Sequence, residues 1–425
     1  MNRKQRNLRR GGLASVVLQL PLLLNWIATP QASLAQAPSP DDAGKVFLVK
    51  GTSAQFDRYT TTPSFNQQRW MRHHFLRMVV FSPYFDSRTA WYANGWVYLD
   101  AYAIYTKPSP GSPDIATQHP EWILKDRKNN RLYIPWGCDS GNHSCPQFAA
   151  DFSNRSYQRW WIETAKETLA RGAYKGVWID DVNMDFRVSD GNGEFRPPTD
   201  PNTGVSMTEK NWRHYFSQFM QNVRDQLPNR EIVHNSIWYA GGAARDSDPD
   251  VSRQIAAADW INIEGGVNDR RLTGGTGLWS LNALLAYIDR LHERGRRVII
   301  DNLAGGNPED ASARLYTVAN YFLISNGTDA VGDGQMVVTP ENWWRGFSIA
   351  LGPALDVRTT WKGLLKRDYA NGMVLCNLPQ SRTVTADLPE PYQTLDGKMT
   401  TSITLAAGQG TILIKKANSV TSGNK

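Results

Sequence analysis

Cysteine is scarce in this chain: three residues in 425, at 138, 145 and 376. So few thiols exclude a small disulfide-rich scaffold, and 41% apolar residues point instead to an ordinary globular core. Long apolar runs are lacking as well. The best stretch, residues 13–24, is interrupted by Gln19 and Pro21 and falls short of the roughly 20 apolar residues that span a bilayer. No later segment approaches it, so no stable membrane insertion is expected. Also missing are a Gly-rich phosphate loop, a dinucleotide fingerprint, an HExxH helix and a Gly-x-Ser-x-Gly elbow, and no cofactor is expected.

The net charge of +7 suggests an anionic partner only at first sight. Residues 1–35 hold five basic side chains (Arg3, Lys4, Arg6, Arg9, Arg10) and no acid, followed by an apolar stretch and the small residues Ser33-Leu34-Ala35. That is the pattern of a secretory signal cleaved before Gln36, which predicts a secreted or periplasmic protein. Its removal leaves 42 basic against 40 acidic residues, a net of +2, and the case for nucleic acid disappears.

What is present has an α/β rhythm. After a polar linker at 36–45, β-rich runs at 46–49, 77–81, 96–101, 176–179, 231–234, 260–263, 297–300 and 329–331 alternate with helical stretches. Eight such strands are the number that closes a (β/α)8 TIM barrel, here over residues 46–365. The helix at 280–294 is the clearest, with Leu281, Leu284, Leu285, Ile288 and Leu291 on one face, Ser280 to cap its start and Gly295 its end. Helices are also expected from Ser153 or Asn154 to 170, at 207–227 and at 309–325. Long loops rich in Gly, Pro and Asp follow the strands, at the end where barrels build substrate sites. Residues 366–416 read as a small antiparallel, β-sandwich-like module, and 417–425 as a disordered tail. Cys138 and Cys145, in a loop rich in Gly, Asn and Ser, are candidates for a disulfide. A metal site with His143 lacks a fourth ligand. Cys376, in an apolar strand-like run, is expected to be a buried thiol.

The chemistry is suggested by where apolar runs stop. Gly176-Val177-Trp178-Ile179 ends in Asp180-Asp181, and Trp260-Ile261-Asn262-Ile263 ends in Glu264-Gly265-Gly266. An acid at the end of a barrel strand points into the barrel mouth, and cleavage of a sugar acetal needs two carboxyl groups flanking the bond. Asp180 and Glu264 are the expected catalytic pair, although a strand-end acid can equally cap a helix or pair with an arginine. Asp181, Asp100, Asn235, Asp301 and Asp333 stand at strand ends where sugar hydroxyls would bind. Of the aromatic residues, which include 16 tryptophans, Tyr84, Trp136 and Trp238 fall near loops and are the cleft candidates; the pairs Trp160-Trp161 and Trp343-Trp344 read as packing.

At these residues the chain resembles hypothetical glycoside hydrolase families of TIM-barrel type. His119-Pro120-Glu121-Trp122-Ile123-Leu124-Lys125-Asp126 is similar to their HPEW segment, and 151–181 resembles their stretch of Asp, Ser-Asn, helix and acid-ended strand. More distantly it is similar to endo-α-1,4-polygalactosaminidases, whose catalytic Asp and Glu correspond to Asp180 and Glu264; Ile179 stands where that group has Pro, and Ile263 precedes a single Glu. The resemblance implies a glycoside hydrolase; a polysaccharide or oligosaccharide substrate and a monomeric state are expected. A sugar-binding protein without turnover and a transglycosylase are the alternatives, while the sugar and the stereochemistry stay open.

Overall fold

A computed structural model describes residues 42–415 apart from 52–58, 109–111, 140–143, 237–241, 305–306, 308 and 335–337. The expected signal, the tail and Trp238 therefore lie outside the described residues. In chain order the first strands are β1 (Leu48–Lys50), β2 (Phe75–Val80), β3 (Gly95–Asp100), β4 (Ala103–Tyr105), β5 (Gln147–Ala149), β6 (Gly176–Asp180), β7 (Glu231–Ser236), β8 (Trp260–Ile263), β9 (Arg297–Ile300) and β10 (Ala330–Gly332). Among the described residues, all but β4 and β5 close into one parallel barrel in the order β1-β10-β9-β8-β7-β6-β3-β2. The strands are apolar on both faces because one face fills the barrel and the other meets the helices. Gly176 is dictated by contact: a Cβ there would lie 1.9 Å from the Glu231 carbonyl oxygen on the adjoining strand.

Trp96, Trp178 and Trp260 fill the barrel interior together with Val49, Val79, Val233, Ile299 and Ala330. The Trp96 ring lies 5.5 Å from that of Trp260 and 6.0 Å from that of Trp178. The barrel is thus a packed core and not a pore. Its floor, at the N-terminal ends of the strands, is a bidentate ion pair between Arg77 and Glu231 (2.7 and 2.8 Å), with the Trp96 indole donating to the same carboxylate at 2.8 Å.

Around the barrel run α1 (Phe65–His74), α2 (Arg155–Arg171), α3 (Glu209–Gln226), α4 (Pro249–Ala257), α5 (Leu281–Glu293) and α6 (Ala311–Ile324). α5 forms as its pattern predicts: the Ser280 hydroxyl accepts from the Ala283 amide, the five apolar residues at helical spacing are buried, and Gly295 leaves in the left-handed region at φ 68°. Each buried Leu or Ile there contributes roughly 2 kcal/mol over an exposed one, so the helix is held by its face more than by propensity.

α6 differs, being buried without interruption from Tyr316 to Ile324. Its outer side is covered by the C-terminal sheet, which comprises β11 (Thr359–Trp361), β12 (Leu364–Tyr369), β13 (Gly372–Cys376), β14 (Val384–Gln393), β15 (Met399–Leu405) and β16 (Gly410–Lys415), in the order β11-β12-β13-β16-β14-β15. The first strand lies ahead of the expected boundary at 366. Lys362 and Gly363 both adopt positive φ (50° and 84°) and close a two-residue hairpin turn between Trp361 and Leu364. One side of the sheet meets α6, where a Cβ on Gly410 would come within 2.9 Å of Ala319, and Tyr369 donates to the Phe322 carbonyl at 2.5 Å. The other side folds over a second cluster of Leu364, Met373, Leu375, Leu388, Tyr392, Leu405 and Leu413. Cys376 is a buried free thiol, and Cys138 and Cys145 form a disulfide.

Candidate active site

Four barrel strands share one device at their C-terminal ends: an acid followed by a residue in the left-handed region. The pairs are Asp180 with Asp181 (φ 54°), Glu264 with Gly265 (φ 77°), Asp301 with Asn302 (φ 60°) and Asp333 with Gly334 (φ 53°). A left-handed step turns the chain sharply out of the barrel, which only Gly, Asn and Asp do at low cost. In two of the four it also aims the next amide back at the acid: Asp181 N–H donates to Asp180 at 2.8 Å and Asn302 N–H to Asp301 at 2.7 Å.

These ends surround a cavity of about 950 Å³ whose walls include Tyr98, Asp100, Trp136, Asp180, Asp181, Glu264 and Asp301. Asp180 is held by three neutral donors, the Tyr98 hydroxyl (2.6 Å), the Asn235 amide (2.6 Å) and the Asp181 N–H (2.8 Å). Asn235 also faces Glu264 and favours its charged form, so one side chain bears on both expected catalytic acids. Its own oxygen accepts from Asn262 at 2.6 Å, which fixes its orientation. Asp181 accepts from the Trp136 indole at 3.0 Å and from Asn183 at 3.1 Å.

The crowding of carboxylates shapes their protonation. Displacement of water, followed by the charges of Asp180, Asp301 and Asp181, pushes Glu264 up to about 7. Burial and the Asp180 charge push Asp181 up to about 6, against the hydrogen bonds from Trp136 and Asn183. Asp100 is driven well above the usual carboxylate range by burial and then by Asp181 and Asp180, even though the Tyr102 and Ala103 amides donate to it at 2.9 and 2.7 Å. Asp301 is raised by burial, the Asp180 charge adding to it. Five acids thus face one opening, with neutral donors as their direct partners. Among the described residues, no cluster of three or more His, Cys, Asp or Glu side chains is arranged to hold a metal ion.

Most residues expected at the site meet there: Asp180, Glu264, Asp181, Asp100, Trp136 and Asp301 line the cavity, and Asn235 lies just beneath it. Two do not. Asp333 is fully buried and ion-paired with Lys50 at 2.5 Å, an interior charge pair that is not presented to a sugar. Tyr84 stands on the surface beneath the Arg88 guanidinium, 4.4 Å from its ring centre, and is not part of the cavity wall. Sequence reasoning passed over Tyr98 and Asn262, each two residues before an acid and therefore on the same strand face, a signal that alternation alone carries. It also passed over Gln147, Asn183, Asn268 and the run Asp269-Arg270-Arg271, whose loops bring them to the rim.

Comparison with known proteins bears on this site. A model described as hypothetical glycosyl hydrolase family 15 matches residues 84–373. The chain belongs to this family. The matched span contains every residue of the cavity wall. No protein of curated function matches the sequence. Among solved structures, the glycoside hydrolase domain of PelA from Pseudomonas aeruginosa is similar over 70% of this chain and 95% of its own, at 12% identity and a TM-score of 0.40. An α-amylase from Geobacillus thermoleovorans covers 88% and 98% at 10% identity and 0.45. The GH36 α-galactosidase AgaA from Geobacillus stearothermophilus covers 88% and 56% at 11% identity and 0.43. The family, like the barrel with its rim of acids, points to glycosidase chemistry.

Proposed function

We propose that this member of the family is an exported hydrolase that cleaves glycosidic bonds within a polysaccharide, with Asp180 as nucleophile or general base and Glu264 as general acid. The observation that carries this reading is the shared cavity, whose wall holds both Asp180 and Glu264, with Asn235 donating to Asp180 and favouring the charged form of Glu264 from beneath. A general acid must hold its proton at the working pH, and Glu264, raised to about 7, does so at neutrality. Asp180 meets three donors that stabilise negative charge without a cation that would quench its reactivity. The two roles differ because the surroundings differ: dipoles converge on one acid, like charges on the other.

A sugar between the two acids receives a proton from Glu264 on the departing oxygen while Asp180 supports the positive charge that develops on the ring, directly or through water. Release of reducing ends from a panel of soluble polysaccharides tests the assignment, with Asp180→Asn and Glu264→Gln as variants whose circular dichroism must match the wild type. Full activity in both would remove the pair from the mechanism. Binding without release would mark a sugar-binding protein, and longer products a transglycosylase.

A further inference from the structure

Large aromatic rings left in contact with water at one edge of a cavity mark a surface made to be covered. Three such rings stand on one side of the candidate site: Phe81 is 44% exposed, Tyr105 57% and Trp136 45%. They come from three different connections, yet each touches a residue of the cavity wall. Phe81, just past β2, packs its ring 4.8 Å from that of Tyr98, the residue that donates to Asp180. Tyr105 is the register partner of Gln147 across β4 and β5; residues so paired project to one side, and Gln147 lines the cavity. Trp136 donates its indole N–H to Asp181, leaving the ring exposed.

The wall across the barrel is of another kind. Beyond β8 and β9 it is built from Asn268, Asp269, Arg270, Arg271 and Asn302. The cavity mouth therefore gathers exposed rings on the β2 and β3 side and is mainly polar or charged on the β8 and β9 side, where one further ring, Trp279 (41% exposed), meets the Arg271 guanidinium at 5.7 Å. A flat pyranose face, with its axial C–H groups, is the chemistry that fits an exposed ring next to a sugar-cleaving carboxylate.

We propose that Phe81, Tyr105 and Trp136 form a row of sugar-stacking subsites running outward from the catalytic acids, so that the protein grips several pyranose units of a chain on one side of the bond it cuts. This rests on the glycosidase reading of the cavity but is tested apart from turnover. Affinity electrophoresis through soluble starch, xylan, galactomannan, dextran and partially deacetylated chitin measures retention by intact polysaccharide. In whichever gel retards the wild type, Phe81→Ala, Tyr105→Ala and Trp136→Ala should each weaken retention about 3–10-fold, the range for one aromatic stacking contact. Phe81→Tyr and Tyr105→Phe, which keep the ring, should be retarded like the wild type, and so should Leu355→Ala, whose exposed side chain lies outside the cavity wall. The row is refuted if the alanine variants are retarded as strongly as the wild type, if the ring-keeping variants lose as much as alanine, or if no polysaccharide retards the wild type. A chain that is retarded through these rings but releases no reducing ends leaves the row standing and removes the hydrolase reading.

Discussion

The two rims of the barrel handle carboxylates in opposite ways. At the floor, Glu231 meets Arg77 in a bidentate pair and the Trp96 indole, with Arg297 nearby at 4.0 Å, and these partners hold it below its usual range in spite of partial burial. At the mouth, Asp100, Asp181, Glu264 and Asp301 meet neutral donors and one another, and all are raised. A cation partner turns an acid into a brace. Its absence leaves Asp181 and Glu264 able to take up and release a proton near neutrality. Asp333 is the exception: Lys50 makes it part of the interior, yet burial still pushes it up to about 6 against that cation.

The largest effect belongs to the mouth: Asp180→Asn or Glu264→Gln should lower the hydrolytic rate about 10²–10⁴-fold with the melting temperature held or raised, as read by reducing-end release and by thermal melts. Next comes the buried pair. Lys50→Met strands Asp333 without its cation and should cost about 3 kcal/mol of stability in urea unfolding; a loss below 1 kcal/mol would show that the pair is dispensable. At the floor, Glu231→Gln should cost about 2 kcal/mol by leaving Arg77 half-satisfied, yet leave the pH dependence of activity where it was.

The smallest effect follows from the raised acids. Between the unfolded value of 4.5 and the folded value of about 7, the folded chain holds the Glu264 proton more tightly than the unfolded one. Stability contributed by that group is therefore present at low pH and lost as pH rises through about 7. Glu264→Gln should accordingly raise the melting temperature by a few degrees at pH 8 and hardly at pH 4.5. The rate on polysaccharide should fall above about pH 7 as Glu264 loses its proton; an alkaline limb that stays put in a variant with Asp181→Asn would show that Asp181 does not feed it.

Much of this was legible in the chain. Eight apolar runs foretold the barrel strands, and the abrupt change from Ile179 to Asp180 and from Ile263 to Glu264 marked the mouth, because burial ends where a strand leaves the barrel. The failures are equally physical. Asp301 and Asp333 look alike in sequence, each following an apolar strand and preceding a residue that tolerates positive φ. What separates them is Lys50, 283 residues away from Asp333, a partner that only barrel closure supplies. Tyr98 and Asn262 sat unnoticed in strands read for their apolar members, although their alternation with Asp100 and Glu264 already placed them on the working face. The hairpin at Lys362-Gly363 was missed because turn chemistry there depends on both residues adopting positive φ, which Gly announces and Lys does not.

The position of α6 between two layers has a consequence for how the molecule comes apart. A helix buried on every side from Tyr316 to Ile324 has no face made for water, so the barrel is expected to melt together with the C-terminal sheet and not apart from it. The two regions should then share one unfolding event, and a fragment cut before Thr359 would expose the outer side of α6.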